Sequence, residues 1–248
     1  MEKKRREGRM KTKQSIMALM AVALLLAVTA PALASVQVIG TGTLSSSNVG
    51  GGGTYNLIYD DGNHSPAQTP LIWLDYRFTG SAISNADIWA FTVNWVNNLT
   101  FDSYVLTGAY SSGYSINWTE NNWRLPTTFG NPPASGYNQT GSELSHLYFS
   151  ELGKTAGNTT YPNPPFTNFI PGWYWTSTVD AGDSTKAWAF SNFDGSLNVY
   201  DKTDGEYGYA VRAGQLNATA VPEPSTYALL CISLGVVGYA RRKLKMKN

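Results

Sequence analysis

Apolar residues recur along the middle of this chain in two rhythms, one of period two and one close to the helical turn. Val36, Val38 and then Ile39 open with a strand-like alternation, and apolar runs at 55–59 and 71–75 follow. Asp60-Asp61-Gly62-Asn63 marks the turn between those two runs. From Ser84 the spacing changes: Ile88, Phe91, Trp95 and Leu99 fall on one helical face, with Ser84 placed to cap it and Asp87 three residues on. A second helix is predicted over 140–153. There Thr140-Gly141-Ser142-Glu143 reads as a capping box, Leu144, Leu147, Tyr148 and Leu152 form a stripe, and Gly153 stands at the stop. Beyond it, short runs at 173–178, 187–192, 197–200 and 209–212 are separated by turn pairs such as Asp194-Gly195 and Asp204-Gly205. Two helices followed by an antiparallel meander predict an α+β domain. The consecutive Gly50, Gly51, Gly52 and Gly53 read as a flexible joint or a turn.

The two ends carry a different pattern, an unbroken apolar run beside a basic cluster. At the N-terminus Lys3, Lys4, Arg5, Arg6, Arg9, Lys11 and Lys13 precede an apolar run at 16–30, and Ala32-Leu33-Ala34 supplies the small residues that a signal peptidase needs. Cleavage between Ala34 and Ser35 is the expected outcome, with Met10 an alternative start to Met1. The C-terminal end runs in the opposite sense. Pro222, Glu223 and Pro224 cannot extend a helix backwards, and an apolar run at 226–240 follows, then Arg241, Arg242, Lys243, Lys245 and Lys247. As a helix the run would reach roughly 22 Å, short of a ~30 Å hydrocarbon core, and the cations would stay cytoplasmic. An extended motif, a short anchor and a basic stop in that order closely resemble the PEP-CTERM sorting signal of exopolysaccharide-producing Gram-negative bacteria. The resemblance implies recognition by an exosortase, a transient hold in the inner membrane, and delivery to the cell surface or outside. The plainer reading of the residues is an ordinary C-terminal anchor. The chain then divides into a signal peptide (1–34), an N-terminal strand with the glycine joint (35–54), the main domain (55–215) and a single-span sorting tail (216–248).

Charge changes the picture once the ends are set aside. The whole chain has a formal net charge of +1. Twelve of the 18 Lys and Arg lie in the two ends, against three of the 17 Asp and Glu, so the body between them nets −8. Such a surface repels nucleic acid, and repels anionic polysaccharide unless cations bridge the two. The lone cysteine, Cys231, lies in the tail. The body therefore has no disulfide, thiol nucleophile or cysteine-held metal, and its stability rests on its core.

Several apolar blocks of the body share a further likeness. Leu71-Ile72-Trp73-Leu74-Asp75, Trp95 to Leu99, Trp123-Arg124-Leu125-Pro126, Glu143-Leu144 with His146-Leu147-Tyr148, Tyr174 to Thr178, Ala187 to Phe190 and Ala210-Val211-Arg212 resemble, in order, the Lcl C-terminal (DUF1566) family. That resemblance implies a C-type-lectin-like fold shared with the formylglycine-generating enzymes, and points to adhesion to extracellular polymers. It does not bring those enzymes' reaction, because they depend on active-site cysteines.

Trp-Arg-Leu-Pro reads first as structure, with Trp123 and Leu125 buried and Arg124 paired to a carboxylate, and secondly as a ligand contact through Arg124. Tyr110, Tyr114, Trp118, Tyr137, Tyr161 and Trp173 lie in or beside loops rich in Asn and Ser. Each could pack under its own loop. As a group they suit sugar binding, since aromatic faces take the apolar side of a sugar while neighbouring Asn and Asp meet its hydroxyls. Asp194, Asp201, Asp204 and Glu206 offer oxygen donors for calcium, but without EF-hand spacing, and a solvated acidic hairpin is the simpler reading. His64 reads as a turn residue and His146 as a half-buried helix residue. Gly-x-Ser-x-Gly and His-Glu-x-x-His are both absent from the sequence. The expectation is an exported, non-enzymatic module that binds polysaccharide or another matrix component and needs no cofactor. The alternatives are a structural matrix component without a ligand and a glycan-active hydrolase built on paired carboxylates.

Overall fold

A computed structural model describes residues 36–62, 69–79, 88–130, 133–161 and 163–219. Ala34, Ser35, His64, the Ser84 cap, and Pro222, Glu223, Pro224, Arg241 and Arg242 with the apolar runs beside them lie outside the described residues. Among the described residues no helix is long and apolar enough to cross a membrane.

Among the described residues nine strands form one sheet: β1 (Val36–Leu44), β2 (Gly53–Asp60), β3 (Leu71–Thr79), β4 (Phe101–Leu106), β5 (Tyr114–Trp118), β6 (Trp173–Val179), β7 (Lys186–Ser191), β8 (Leu197–Asp201) and β9 (Tyr207–Ala218). Their order is β4-β1-β2-β3-β9-β6-β7-β8, with β5 paired to the far half of β9. All pairings are antiparallel except the short parallel contact of β6 with β9 at Tyr174 and Tyr207, so the sheet is mixed. The glycine run serves as the β1–β2 turn, where Gly50 and Gly51 take φ of 93° and 87°, a region other residues avoid.

This architecture corrects the α+β, lectin-like expectation. The described residues are β-rich, and the α-helices among them are two short pieces, α1 (Ile88–Asn97) and α2 (Glu143–His146). The second helix falls short for a physical reason. Its cap is Ser142, whose Oγ accepts from Ser145 N at 2.9 Å, and not Thr140. After a single α turn the backbone widens into a π turn over Leu147–Glu151. The predicted stripe is nonetheless buried, with Leu144, Leu147 and Tyr148 fully inside. Two further strands, β4 and β5, lie between the two predicted helices, where no strand was expected.

The core is aromatic and lies on both faces of β3 and β9. On one side Trp73 and Tyr209 pack with Phe166, Phe169, Tyr174 and Phe190 under α2 and the loop before β6. On the other, α1 lays Trp95 against Phe78, rings stacked at 4.4 Å and 7°. Gly208 of β9 permits that approach, since a Cβ there would stand 2.5 Å from Thr92 Cγ2. Each large side chain buried this way is worth roughly 1.5–3 kcal/mol, which a body without disulfides requires.

Candidate functional site

The site begins where β5 leaves β9. Their pairing runs to Trp118 opposite Gly214, and Thr119 N still donates to Ala213 O at 3.1 Å. The chain then bulges outward and returns at Arg124, which exchanges backbone hydrogen bonds with Val211 at 2.9 Å each way. Between those two points stand Asn121, Asn122 and Trp123. Gly214 lets the Trp118 ring lie close over β9, because a Cβ there would stand 3.0 Å from Trp118 Cε3.

The bulge and β4 enclose an open cleft of about 300 Å³, lined by Leu57, Leu99, Phe101, Tyr104, Trp118, Asn121, Asn122, Trp123 and Arg212. Its wall is a chain of rings: Tyr104 meets Trp118 edge-on at 6.1 Å, Trp118 meets Trp123 at 5.8 Å, and Trp123 stacks on Phe101 at 5.1 Å. Arg212 lies 4.2 Å from the centre of the Trp118 ring, and its Nε donates to Glu120 O at 3.0 Å. Burial lowers the Arg212 pKa from its ordinary value. Trp123 is buried, whereas Tyr104 is 45% exposed, so the wall is anchored at one end and open at the other. Two amides and a guanidinium beside partly exposed rings make this a mixed apolar and polar lining.

Of the residues singled out in the sequence, Trp118 lines this cleft. Arg124 is next to it but engaged inward. Its guanidinium forks onto Glu143 at 2.7 and 2.8 Å and its Nε donates to Glu120 at 3.0 Å. With Trp123 and Leu125 buried, Trp-Arg-Leu-Pro is placed as structure. Tyr110 is buried and packs edge-on against Tyr114 at 5.2 Å. Trp173 packs on Tyr200 at 4.7 Å, and Tyr137 donates its hydroxyl to Asp194 at 3.2 Å. These four do not join Trp118.

The acidic candidates do not form a metal-capable set among the described residues. Asp194 accepts from Ser196 N and Oγ at 3.1 and 2.7 Å, which closes the β7–β8 turn. Asp201 lies 3.8 Å from Lys186, and Asp204 donates its N–H to Asp201 O in the turn before β9. Among the described residues the set of three metal-capable donors that does come together is Asp60, His146 and Glu151. His146 is therefore not half-buried but wholly inside, at 3% exposure.

Tyr104, Asn121, Asn122 and Arg212 were not singled out for binding. A signal for two of them was present. Trp118-Thr-Glu-Asn121-Asn122-Trp123 brackets an amide pair with two indoles, and Tyr114, Ile116 and Trp118 alternate as a strand does. Tyr104 and Arg212 reach the cleft only through the β1–β4 and β3–β9 pairings, which no local pattern announces.

No curated protein and no solved structure matches the chain. Residues 220–244 match the family model of the PEP-CTERM protein-sorting motif. The chain is thus an exported protein with a C-terminal sorting tail of the kind that exosortases process.

Proposed function

We propose that the exported body binds an extracellular polysaccharide at the aromatic cleft, acting as a non-enzymatic matrix-binding module. The observation that carries this reading is the wall of Tyr104 and Trp118, backed by buried Trp123, in one lining with Asn121, Asn122 and Arg212. Stacking on the rings would hold a sugar's apolar face, and the amides would meet its hydroxyls. The net charge of −8 on the body favours a neutral polymer. The lining is made of rings, amides and a guanidinium, which suits binding rather than acid–base hydrolysis. Before reaching the matrix the chain meets a signal peptidase and an exosortase, and its tail holds it transiently in the inner membrane.

The test is retention of the full chain, in detergent, on immobilised exopolysaccharide and on a glycan array, with and without calcium. Trp118→Ala is expected to weaken binding about tenfold or more. No retention of the parent chain, or equal retention of the variant, overturns the reading. One observation favours a structural role instead: β4 ends the sheet, and its Tyr104 and Val105 are 45% and 59% exposed, an edge suited to pairing with another strand. That reading predicts concentration-dependent self-association in sedimentation without any glycan.

A further inference from the structure

At the buried end of β2 three ionisable side chains meet inside the core. One donor atom from each of Asp60, His146 and Glu151 lies within 4.8 Å of the other two. Asp60 is 1% exposed, and the side chains of His146 and Glu151 are 2% and 0% exposed. Their meeting depends on the π turn. In a regular α-helix, residues five apart point about 140° away from each other. The wider π turn, closed by Leu152 N donating to Leu147 O at 2.8 Å, returns Glu151 to the side of His146. Their Nε2 and Oε1 atoms then stand 2.9 Å apart. Single π turns of this type recur at functional sites.

Placing two carboxylates together in an apolar core is costly unless a cation shares them. The hydrogen-bond donors that meet Asp60 are neutral: Gly62 N–H at 3.0 Å to Oδ1 and the Trp73 indole N–H at 3.2 Å to Oδ2. They fix the carboxylate's direction and leave each oxygen a further lone pair, as outer-shell partners of a metal ligand do. His146 Nδ1 is buried and meets no hydrogen-bond partner. With Nε2–H donating to Glu151, Nδ1 presents a bare lone pair in the core; in the other tautomer its N–H is undonated.

We propose that Asp60, His146 and Glu151 form a buried site for a divalent first-row transition-metal ion of the zinc type. One imidazole nitrogen and two carboxylate oxygens are the donor set of Zn²⁺ or Mn²⁺, whereas Ca²⁺ takes about six to eight oxygens. Donors around a tetrahedral ion stand about 3.4 Å apart, so binding draws the three groups slightly inward. The ion joins the end of β2 to the π turn and acts as a clasp across the core. The site is independent of the glycan cleft, and each can fail alone.

The experiment uses the full chain, purified without a histidine tag, with metal content measured by mass spectrometry. About one zinc or manganese per chain is expected. Added Zn²⁺ or Mn²⁺ should raise the melting temperature on the order of 5–10 °C at a hundredfold excess over Kd, and a chelator should reverse it. The near-isosteric Asp60→Asn and Glu151→Gln variants should lose the metal and the chelator response. A metal-free parent chain whose melting ignores Zn²⁺, Mn²⁺ and chelator overturns the proposal and leaves a buried ion pair. Metal retained equally by both variants, or a response to Ca²⁺ alone, overturns it as well. If the variants do not fold, the parent chain's metal content and chelator response decide.

Discussion

Asp75 shows how far a single residue can organise this fold without any local signature. It is fully buried, and both of its oxygens are taken by the loop before β6 and by β9. Oδ2 accepts from Thr167 N at 2.9 Å and Thr167 Oγ1 at 2.6 Å; Oδ1 accepts from Asn168 N at 2.9 Å and from the Tyr209 hydroxyl. Each oxygen thus faces a backbone N–H. An Asn in its place would turn an NH₂ toward one of those donors whichever way it flips. Asp75→Asn is therefore expected to cost about 1–3 kcal/mol, read as a lowered urea midpoint with unchanged slope. An unchanged midpoint would refute the account. In the sequence Asp75 was merely the polar end of an apolar run, because its partners lie 92 to 134 residues along the chain. Arg124 was more legible: a cation inside Trp-Arg-Leu-Pro needs a counter-charge, and Glu143 supplies it.

At the scale of elements, period-two alternation and long apolar runs located seven of the strands. β4 was missed because an edge strand with four exposed residues in a row has no alternation to read. β5 does alternate, and was hidden by the Asn- and Gly-rich loops around it. The helical stripe at 144–152 was real, but its cap and length were not as expected. A π turn cannot be told from an α turn by apolar spacing, and Thr140 and Ser142 are equally good cap residues. The two can be separated by mutation. Ser142→Ala should destabilise by about 1 kcal/mol, since Ser142 Oγ holds Ser145 N and also contacts Ser145 Oγ at 2.6 Å, whereas Thr140→Ala should be near neutral. Thermal melts of the two variants check this, and a larger effect at Thr140 would contradict the assignment. The cleft was half visible for the same reason: its indoles lie close in sequence, while its tyrosine and arginine arrive from other strands.

For the molecule as a whole, the sorting tail was the most legible part, because its meaning lies in a short linear order that needs no folding partner. Replacing Pro222, Glu223 and Pro224 with alanine is expected to leave full-length protein in the inner-membrane fraction, detected by fractionation and blotting. Normal release would remove the motif's proposed role. The architecture was the least legible. Calling it α+β gave two helical patterns equal weight with the strands, whereas sheet order depends on long-range pairings that local periodicity does not encode. β9 is the clearest case. It accepts β3 along one edge and, along the other, β6, the Arg124 bridge and β5 in turn.

That placement sets a timetable. The strand around which both halves of the sheet close is the last described one, and a single residue, Thr219, separates its end from the matched motif at 220–244. A chain threaded outward from its N-terminus can assemble the β1–β2 hairpin early, but Trp73 and Leu74 must wait for Val211 and Ala210 to emerge. Completion of the sheet is thereby tied to nearly complete passage of the polypeptide.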